Sequence, residues 1–431
     1  MLEGGSVMDY KTALKFIHGR PRLRKEPTVK RMTAFLDQLG NPQDAIQGIH
    51  VAGTNGKGST IAFLAKMMET TGQRVGTFTS PYLERFNERI AVNGIPIRDD
   101  EILTLVEEIK PIVDELDQTP LGGPLEFEIV TAMMFLYFKK HPVDIVLIEV
   151  GIGGRYDSTN VFTPIASVIT NIGWDHMQIL GDTLPKIAFQ KAGIIKTNVP
   201  VITGTEDQAA LRVIEEEAKK LHAPLKILKR DFKIDSKENF FSNTFAQIEH
   251  IHSGLLGLYQ VNNLAVALET MLVVSRQLNW KINYDQLRQA VQHTQWAGRM
   301  EIIQKRPKII LDGAHNLPGI QALKKSIQAY WPEQKVFILA AILDDKRFEA
   351  MLTELVDLKQ VELTLTRFNG PIKRAAVDWS ELHDPIRKDI NYQANWQLAL
   401  KEILRQAKPS DVIIITGSLY FISEVRPQLI K

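Results

Sequence analysis

At 431 residues the chain is too long for one compact core, and roughly two or three domains are expected. An apolar content of 44% with 24% charged residues is that of an ordinary globular protein, and a formal net charge of +2 gives no reason to expect nucleic acid or an anionic membrane as partner. Cysteine is absent, which excludes disulfides and thiolate metal sites, suits a reducing cytoplasm, and leaves His, carboxylate and hydroxyl groups to hold any metal.

In chain order, residues 1–7 lack the basic region and apolar stretch of a signal peptide, and read as a foreign remnant or as an upstream start before Met8. No apolar run reaches the ~20 residues of a membrane span, so a cytoplasmic protein is expected. Tyr10–His18 is an amphipathic helix, Gly19–Lys25 a basic connector expected on the solvated surface, and Val29–Leu39 a helix stopped by Gly40-Asn41-Pro42. Then comes His50-Val-Ala-Gly-Thr-Asn-Gly-Lys-Gly-Ser59, which follows extended apolar residues and opens a helix over Ser59–Met68. Strand, glycine loop and helix in that order let backbone N–H groups cradle phosphate. Lys57 supplies a mobile positive charge, and the Ser59 hydroxyl is placed for Mg2+. The usual phosphate loop sets its lysine directly before Ser or Thr, whereas Gly58 intervenes here. An ordinary Gly/Asn turn into a helix is the plain alternative.

Arg74–Pro81 is a short strand ending in a turn that presents Thr79 and Ser80, and Asn93-Gly94 marks a hairpin between Phe86–Val92 and Ile95–Ile97. Asp99–Leu116 and Glu126–Lys140 carry helical patterns. Val143–Val150 is a continuous apolar strand of the kind buried in a parallel sheet, and Glu149 near its end is costly to bury alone. An acid at a strand end downstream of a phosphate loop can hold Mg2+ against the phosphates; a cap on the following glycine loop is the alternative. Next come a buried strand Pro164–Thr170, Asp175-His176, a helix around Thr183–Gly193, a strand Val199–Thr203, a helix Gln208–Leu221 and a polar strand-like stretch over 225–252. This alternation predicts an α/β fold with a mostly parallel sheet and ligands at the C-terminal strand ends, where Ser59, Ser80, Glu149 and His176 all fall.

A helix from Tyr259 to Leu278 precedes the compact break Trp296-Ala-Gly-Arg299. The break divides the chain into a phosphate-loop ATPase domain, 1–296, and a smaller Rossmann-like α/β domain, 297–431. In the second, strands Lys308–Asp312, Val336–Ala341, Glu362–Thr366 and Val412–Thr416 alternate with helices over 316–330, 347–357 and 395–407.

Gly53–Ser59, Thr79-Ser-Pro81, Phe86-Asn-Glu-Arg-Ile90, Glu149-Val-Gly-Ile-Gly-Gly-Arg-Tyr-Asp-Ser-Thr-Asn160, Asp175-His176 and Lys191-Ala-Gly-Ile-Ile-Lys196 occur in order, followed by Trp296–Arg299, Asp312-Gly-Ala-His-Asn316 and Ile415-Thr-Gly-Ser-Leu-Tyr420. The set resembles the folylpolyglutamate synthase and dihydrofolate synthase family of the Mur ligase superfamily over essentially the whole chain. Ala340-Ala-Ile-Leu-Asp-Asp-Lys346 departs from it, since related sequences often carry glycine before the apolar pair.

The resemblance implies ATP-dependent amide formation. Transfer of the γ-phosphoryl group makes an acyl phosphate on a folate γ-carboxylate, or on dihydropteroate, and the amine of L-glutamate attacks it. Both acceptors end in a carboxylate served by the same chemistry, so bifunctionality stays open. The reactants of the first step are both anionic, so positive charge must be concentrated between them. By the resemblance, Thr54, Asn55, Gly56, Lys57, Gly58 and Ser59 bind ATP with Asn263 at the adenine and Arg299 at the phosphates. Ser59 and Glu149 hold one Mg2+; Ser80, Glu149 and His176 hold a second. Lys191 is carbamylated by CO2 into a carboxylate supporting the metals, a salt-bridge lysine being the plain alternative. Asp312 and His315, placed to touch nucleotide or amino acid, join Lys57 and Lys191 as catalytic candidates, although Asp312–Asn316 also reads as a strand-to-helix turn capped by Asn316.

Arg89 and Ser418 are candidates for the glutamate carboxylates. In the loop Gly151–Asp157, expected to edge the pterin site, Arg155 is a candidate for pairing an anionic substrate and Tyr156 for stacking. Closure about 294–299 is expected to exclude water. A K+ requirement and a monomeric state are implied by the resemblance alone. The rivals are a Mur-type cell-wall ligase, which would carry a further N-terminal nucleotide-binding domain, and a phosphate-loop kinase or switch whose ATP consumption does not depend on glutamate.

Overall fold

The computed structural model describes residues 8–22, 27–369 and 375–430; the reading of residues 1–7 and of the connector at 23–25 lies outside the described residues. The expected α/β architecture is what forms. Its first sheet contains β1 (Gly48–Ala52), β2 (Val75–Phe78), β3 (Ile90–Val92), β4 (Ile95–Pro96), β5 (Ile145–Glu149), β6 (Ala166–Ile169), β7 (Val201–Thr203) and β8 (Leu225–Ile227), in the order β4-β3-β2-β5-β1-β6-β7-β8. From β2 to β8 every pairing is parallel, and the β3–β4 hairpin is added antiparallel at one edge. Asn93 (φ 49) and Gly94 (φ 74) turn that hairpin with the two positive φ angles its tight connection demands.

β9 (Phe232–Asp235), β10 (Phe240–Asn243) and β11 (Gln247–Ile248) make a small antiparallel sheet from the polar stretch after β8. The last sheet contains β12 (Glu301–Lys305), β13 (Lys308–Leu311), β14 (Val336–Ala340), β15 (Val361–Arg367), β16 (Ile390–Asn395) and β17 (Val412–Thr416), ordered β12-β13-β17-β14-β15-β16 and parallel except at the β12 edge.

The helices of the first half are α1 (Tyr10–His18), α2 (Lys30–Gln38), α3 (Lys57–Glu69), α4 (Asp99–Leu116), α5 (Glu126–Lys140), α6 (Met177–Leu180), α7 (Leu184–Ala192), α8 (Gln208–Lys220), α9 (Tyr259–Leu278) and α10 (Tyr284–His293). Strand periodicity decides which helix covers which face. Ile145 and Leu147 of β5 point into a core shared with α3, α9 and α10, whereas Val146 and Ile148 point into a core shared with α1, α2, α4 and α5. α11 (Leu317–Tyr330), α12 (Phe348–Val356), α13 (Asp384–Arg387), α14 (Trp396–Gln406) and α15 (Leu419–Leu429) belong to the second half, where two further cores flank the last sheet. Among the described residues no helix is long and apolar enough to cross a membrane.

The basic connector is not simply solvated at its described end. Arg20 donates to both carboxylate oxygens of Asp117, at 2.8 and 2.6 Å, and Arg22 Nε donates to Glu126 at 2.5 Å, tying the segment after α1 to the ends of α4 and α5.

Candidate active site

β1 ends at Ala52 and α3 begins at Lys57, so the intervening loop must reverse direction in four residues. Gly53 (φ +152) and Gly56 (φ +83) take backbone that side-chain-bearing residues rarely adopt, and a β-carbon on them would lie 1.8 Å from Thr170 Oγ1 and 2.2 Å from Asn263 Oδ1 respectively. The end of β6 supplies the restraints. Thr54 Oγ1 accepts from the Gly173 N–H (2.9 Å), Asn55 N–H donates to Asn171 Oδ1 (3.0 Å), and Thr170 Oγ1 donates to the Asn55 carbonyl (2.6 Å). Lys57 folds back, its Nζ donating to the Gly53 carbonyl at 3.1 Å, and Lys191 Nζ from α7 donates to the same carbonyl at 2.9 Å. Burial first, and the charge of Lys57 second, lower the pKa of Lys191 to about 7. A substantial share of its amine is therefore neutral near pH 7, the form that reacts with CO2.

Glu149 closes β5, in register with Val51 of β1. Its Oε2 accepts from the Ser80 N–H at 3.0 Å, and its Oε1 lies 3.8 Å from Lys57 Nζ. Burial raises its pKa, opposed by Lys57, the Ser80 N–H, Arg299 and Arg89. A carboxylate only 5% exposed, with its paired lysine no closer than 3.8 Å, is a group that a bound cation would complete. Ser59, in the first turn of α3, accepts from Gln260 Nε2 at 3.2 Å. His176 stands at the N-cap position of α6 in a left-handed conformation (φ 49), its ring about a third exposed at the cavity wall; desolvation lowers its pKa and the neighbouring Asp175 opposes that. No group of three His, Asp or Glu side chains gathers as a metal cage among the described residues. The expected set, two serine hydroxyls, one carboxylate, one imidazole and a carbamate, contains only two residues of those types.

Across from the loop stand residues of the second half. Asp312 accepts from the Tyr259 hydroxyl (2.9 Å) and from the N–H groups of Met300 (3.0 Å) and Ala314 (3.0 Å), while burial raises its pKa. The Nδ1 of His315 is 2.8 Å from the Gly313 carbonyl, which can only accept, so Nδ1 carries the proton. Burial lowers the His315 pKa to about 4, opposed by Asp175, whose carboxylate lies 3.8 Å from Nε2.

Three residues that the sequence reading named in motifs or as a cap, but not as part of the site, join the halves. Asp175 accepts from Lys346 Nζ (2.8 Å) and Asn316 Nδ2 (2.8 Å), and Asn316 exchanges two amide hydrogen bonds with Asn55, at 3.0 and 3.1 Å. Burial alone would raise the Asp175 pKa, but His176, His315 and Lys346 hold it well below the usual carboxylate range. The two imidazoles exert that pull only when protonated, whereas Lys346 is a cation bonded directly to Asp175. Asn316 also caps α11 by accepting from the Gly319 N–H at 2.9 Å, so the strand-to-helix-turn reading of Asp312–Asn316 holds alongside its place in the site.

A cavity of about 1500 Å³ is lined by Thr54 to Ser59, Ser80, Arg89, Glu149, Tyr156, His176, Lys191, Asn263, Arg299, Asp312, His315 and Ser418. Arg89 is partly buried there, its enclosed Nε and Nη1 lacking hydrogen-bond partners and its guanidinium 5.0 Å from the Tyr82 ring centre and 5.7 Å from that of Phe86. Burial lowers its pKa, and such a group is completed by an anion. Ser418 caps α15, its Oγ accepting from the Tyr420 N–H at 3.2 Å.

Arg155 corrects the sequence reading. It does not line the cavity: its guanidinium bonds Glu217 of α8 at 2.7 Å and lies 3.9 Å from the Phe189 ring centre. Replacing Arg155 by Ala is expected to change the Michaelis constants of ATP and acceptor by less than about threefold while lowering stability by about 1 kcal/mol. Steady-state kinetics check this; a tenfold rise in the acceptor constant would return Arg155 to the binding site.

The sequence profile described as "Mur ligase middle domain" matches residues 51–271, and that of the "Mur ligase, glutamate ligase domain" matches residues 298–419. A Bacillus subtilis (strain 168) protein named dihydrofolate synthase/folylpolyglutamate synthase is 39% identical over 428 residues, covering 97% of this chain and 99% of the relative. The solved apo form of L. casei FPGS superposes with a TM-score of 0.86 at 34% identity, covering 98% of this chain and 100% of that one. An FPGS-AMPPCP-folate complex superposes with a TM-score of 0.85 at 34% identity and the same coverage.

Proposed function

The chain belongs to the Mur ligase family, in its folylpolyglutamate synthase and dihydrofolate synthase branch, and from that membership we propose how its residues carry out ATP-dependent ligation of L-glutamate to folate. The observation that carries the assignment is the single cavity in which a glycine phosphate loop and the buried Glu149 face the unpaired guanidinium of Arg89 and the imidazole of His315, whose Nε2 lies 3.8 Å from Asp175. Lys57 and the N–H groups of residues 56–59 bind the ATP phosphates, with Thr54 and Asn55 shaping the loop through their own N–H bonds to Asn171; Asn263 binds the adenine and Arg299 the phosphate side facing the second half. Ser59 and Glu149 would hold one Mg2+, and Ser80, Glu149, His176 and carbamylated Lys191 a second; bound there, the ions would supply Lewis-acid neutralisation of the phosphates and of the acceptor carboxylate.

The acceptor carboxylate oxygen forms a bond to the γ-phosphorus as the bond to ADP breaks. The glutamate nitrogen then bonds to the acyl carbon, and phosphate leaves. Arg89 and Ser418 bind the glutamate carboxylates, and His315 presents its lone pair to the incoming amine. Asp312 already accepts three hydrogen bonds within the protein, so it acts by fixing the turns that carry Arg299 and His315. Loop 151–157 edges the pterin with Tyr156. The reading includes dihydropteroate as a second acceptor, a cytoplasmic monomer and a K+ requirement, all resting on family membership.

The test is ADP release with Mg2+ and L-glutamate in the presence of tetrahydrofolate, dihydropteroate or no acceptor, with products weighed by mass spectrometry. Turnover with tetrahydrofolate, giving a product heavier by one glutamyl unit, is expected; turnover with dihydropteroate makes the enzyme bifunctional. ATP consumption independent of both acceptor and glutamate would overturn the reading.

A further inference from the structure

Gly58 separates Lys57 from Ser59, and the backbone does not require a glycine there. The residue lies in the first turn of α3 and has no positive φ. What a side chain would meet is Trp296: a β-carbon at position 58 would lie 2.9 Å from its Nε1, 3.1 Å from its Cε2 and 3.2 Å from its Cζ2, the three nearest atoms. The indole therefore rests against the start of the phosphate-loop helix. Trp296 also packs on the core that holds α3 and α9, so it is anchored to the first half.

Three residues further on, the chain has turned toward the second half. The Arg299 N–H bonds the Trp296 carbonyl at 3.3 Å, Gly298 (φ +67) and Met300 (φ 49) make the bend, and the Gly298 N–H donates to Glu301 at 2.8 Å. The Arg299 guanidinium lies against Gly313, where a β-carbon would come within 2.1 Å of its Nη1, and it lines the cavity. One tight turn thus ties the indole that touches the phosphate loop to the guanidinium that reaches into the nucleotide site.

We infer that Trp296 is a positioning residue: by docking on Gly58 it fixes the distance between the phosphate loop and Arg299, so that both grip the same nucleotide. This rests on the reading that the loop and Arg299 bind ATP. The interruption of the usual lysine–hydroxyl order is, on this account, the footprint of the indole. Because the indole acts through Arg299, losing it weakens ATP binding and leaves the Michaelis constant for L-glutamate unchanged.

The experiment measures the ATP dissociation constant for wild type, Gly58→Ala, Trp296→Leu, Gly58→Ala/Trp296→Leu, Arg299→Ala and Trp296→Leu/Arg299→Ala, with folding checked by circular dichroism. Gly58→Ala should weaken binding by about 100-fold and Trp296→Leu by about tenfold. The Gly58→Ala/Trp296→Leu protein should recover to the level of Trp296→Leu alone, since the clash has been removed. Trp296→Leu should add nothing to Arg299→Ala, because the two act as one unit. A Gly58→Ala/Trp296→Leu protein as weak as Gly58→Ala, or additive losses at 296 and 299, would overturn the inference while leaving the ligase reading standing. If Gly58→Ala does not fold, the cycle between 296 and 299 decides. A wild-type protein that does not bind ATP would overturn both readings together.

Discussion

Replacing Glu149 by Gln is expected to lower kcat/KM for ATP by about 1000-fold, roughly 4 kcal/mol of transition-state stabilisation. Glutamine keeps the shape of the side chain and an oxygen to accept the Ser80 N–H, now at 3.0 Å, so the strand end is preserved. What disappears is the charge. Glu149 sits at the end of a fully buried strand beside the strand that feeds the phosphate loop, and its raised pKa records the burial of an anion incompletely matched by Lys57. Without Mg2+ the Gln variant should therefore melt no lower than wild type. The signature is a rise in the Mg2+ concentration needed for half-maximal rate, with near-normal folding. Activity within about tenfold of wild type would remove Glu149 from the cation site.

Replacing Lys191 by Met is expected to lower the rate by about 100-fold or more and to raise the melting temperature, an opposition that separates function from structure. The lysine is buried with a pKa near 7, against 10.5 when solvated. Below pH 7 the folded protein must hold a buried ammonium, so the destabilisation is present in full. Between about pH 7 and 10.5 the unfolded chain binds the extra proton, stability rises with pH, and the penalty disappears at the upper end. In CO2-free buffer at pH 6 the Met variant should melt about 5 °C higher than wild type, with the gap closing toward pH 10. For the wild-type enzyme, carbamylation needs the free amine, so added bicarbonate should restore more activity to CO2-stripped protein at pH 8 than at pH 6. A Met variant that keeps wild-type turnover would reduce Lys191 to a structural lysine.

The phosphate loop, the parallel strands and the strand-end acid were legible because each is a local pattern: apolar runs, glycines at forced turns, an acid where a strand should be greasy. The elements that escaped lack that contrast. β12 (Glu-Ile-Ile-Gln-Lys) and β16 (Ile-Asn-Tyr-Gln-Ala-Asn) are half-exposed edge strands, and α10 buries only Leu287 and Val291. Within the site, Asp175, Asn316 and Lys346 come together from distant positions, with no shared periodicity to announce the cluster. Arg155 misled for the same reason: its partner Glu217 lies 62 residues away. Gly58 was visible as an irregularity, but its cause, an indole more than two hundred residues downstream, was not.

Nine of the thirteen residues of α3 are buried, including Phe63, Leu64, Met67 and Met68. A helix encased on all sides opens only when the whole first half unfolds, so its amide hydrogens should be among the last to exchange with deuterium. The phosphate loop springs from this stiff element, and inhibitors directed at it meet a wall that does not adapt to them. Rigid molecules already shaped to the loop are favoured there, and flexible ones lose more than they gain by reshaping themselves to an unyielding surface.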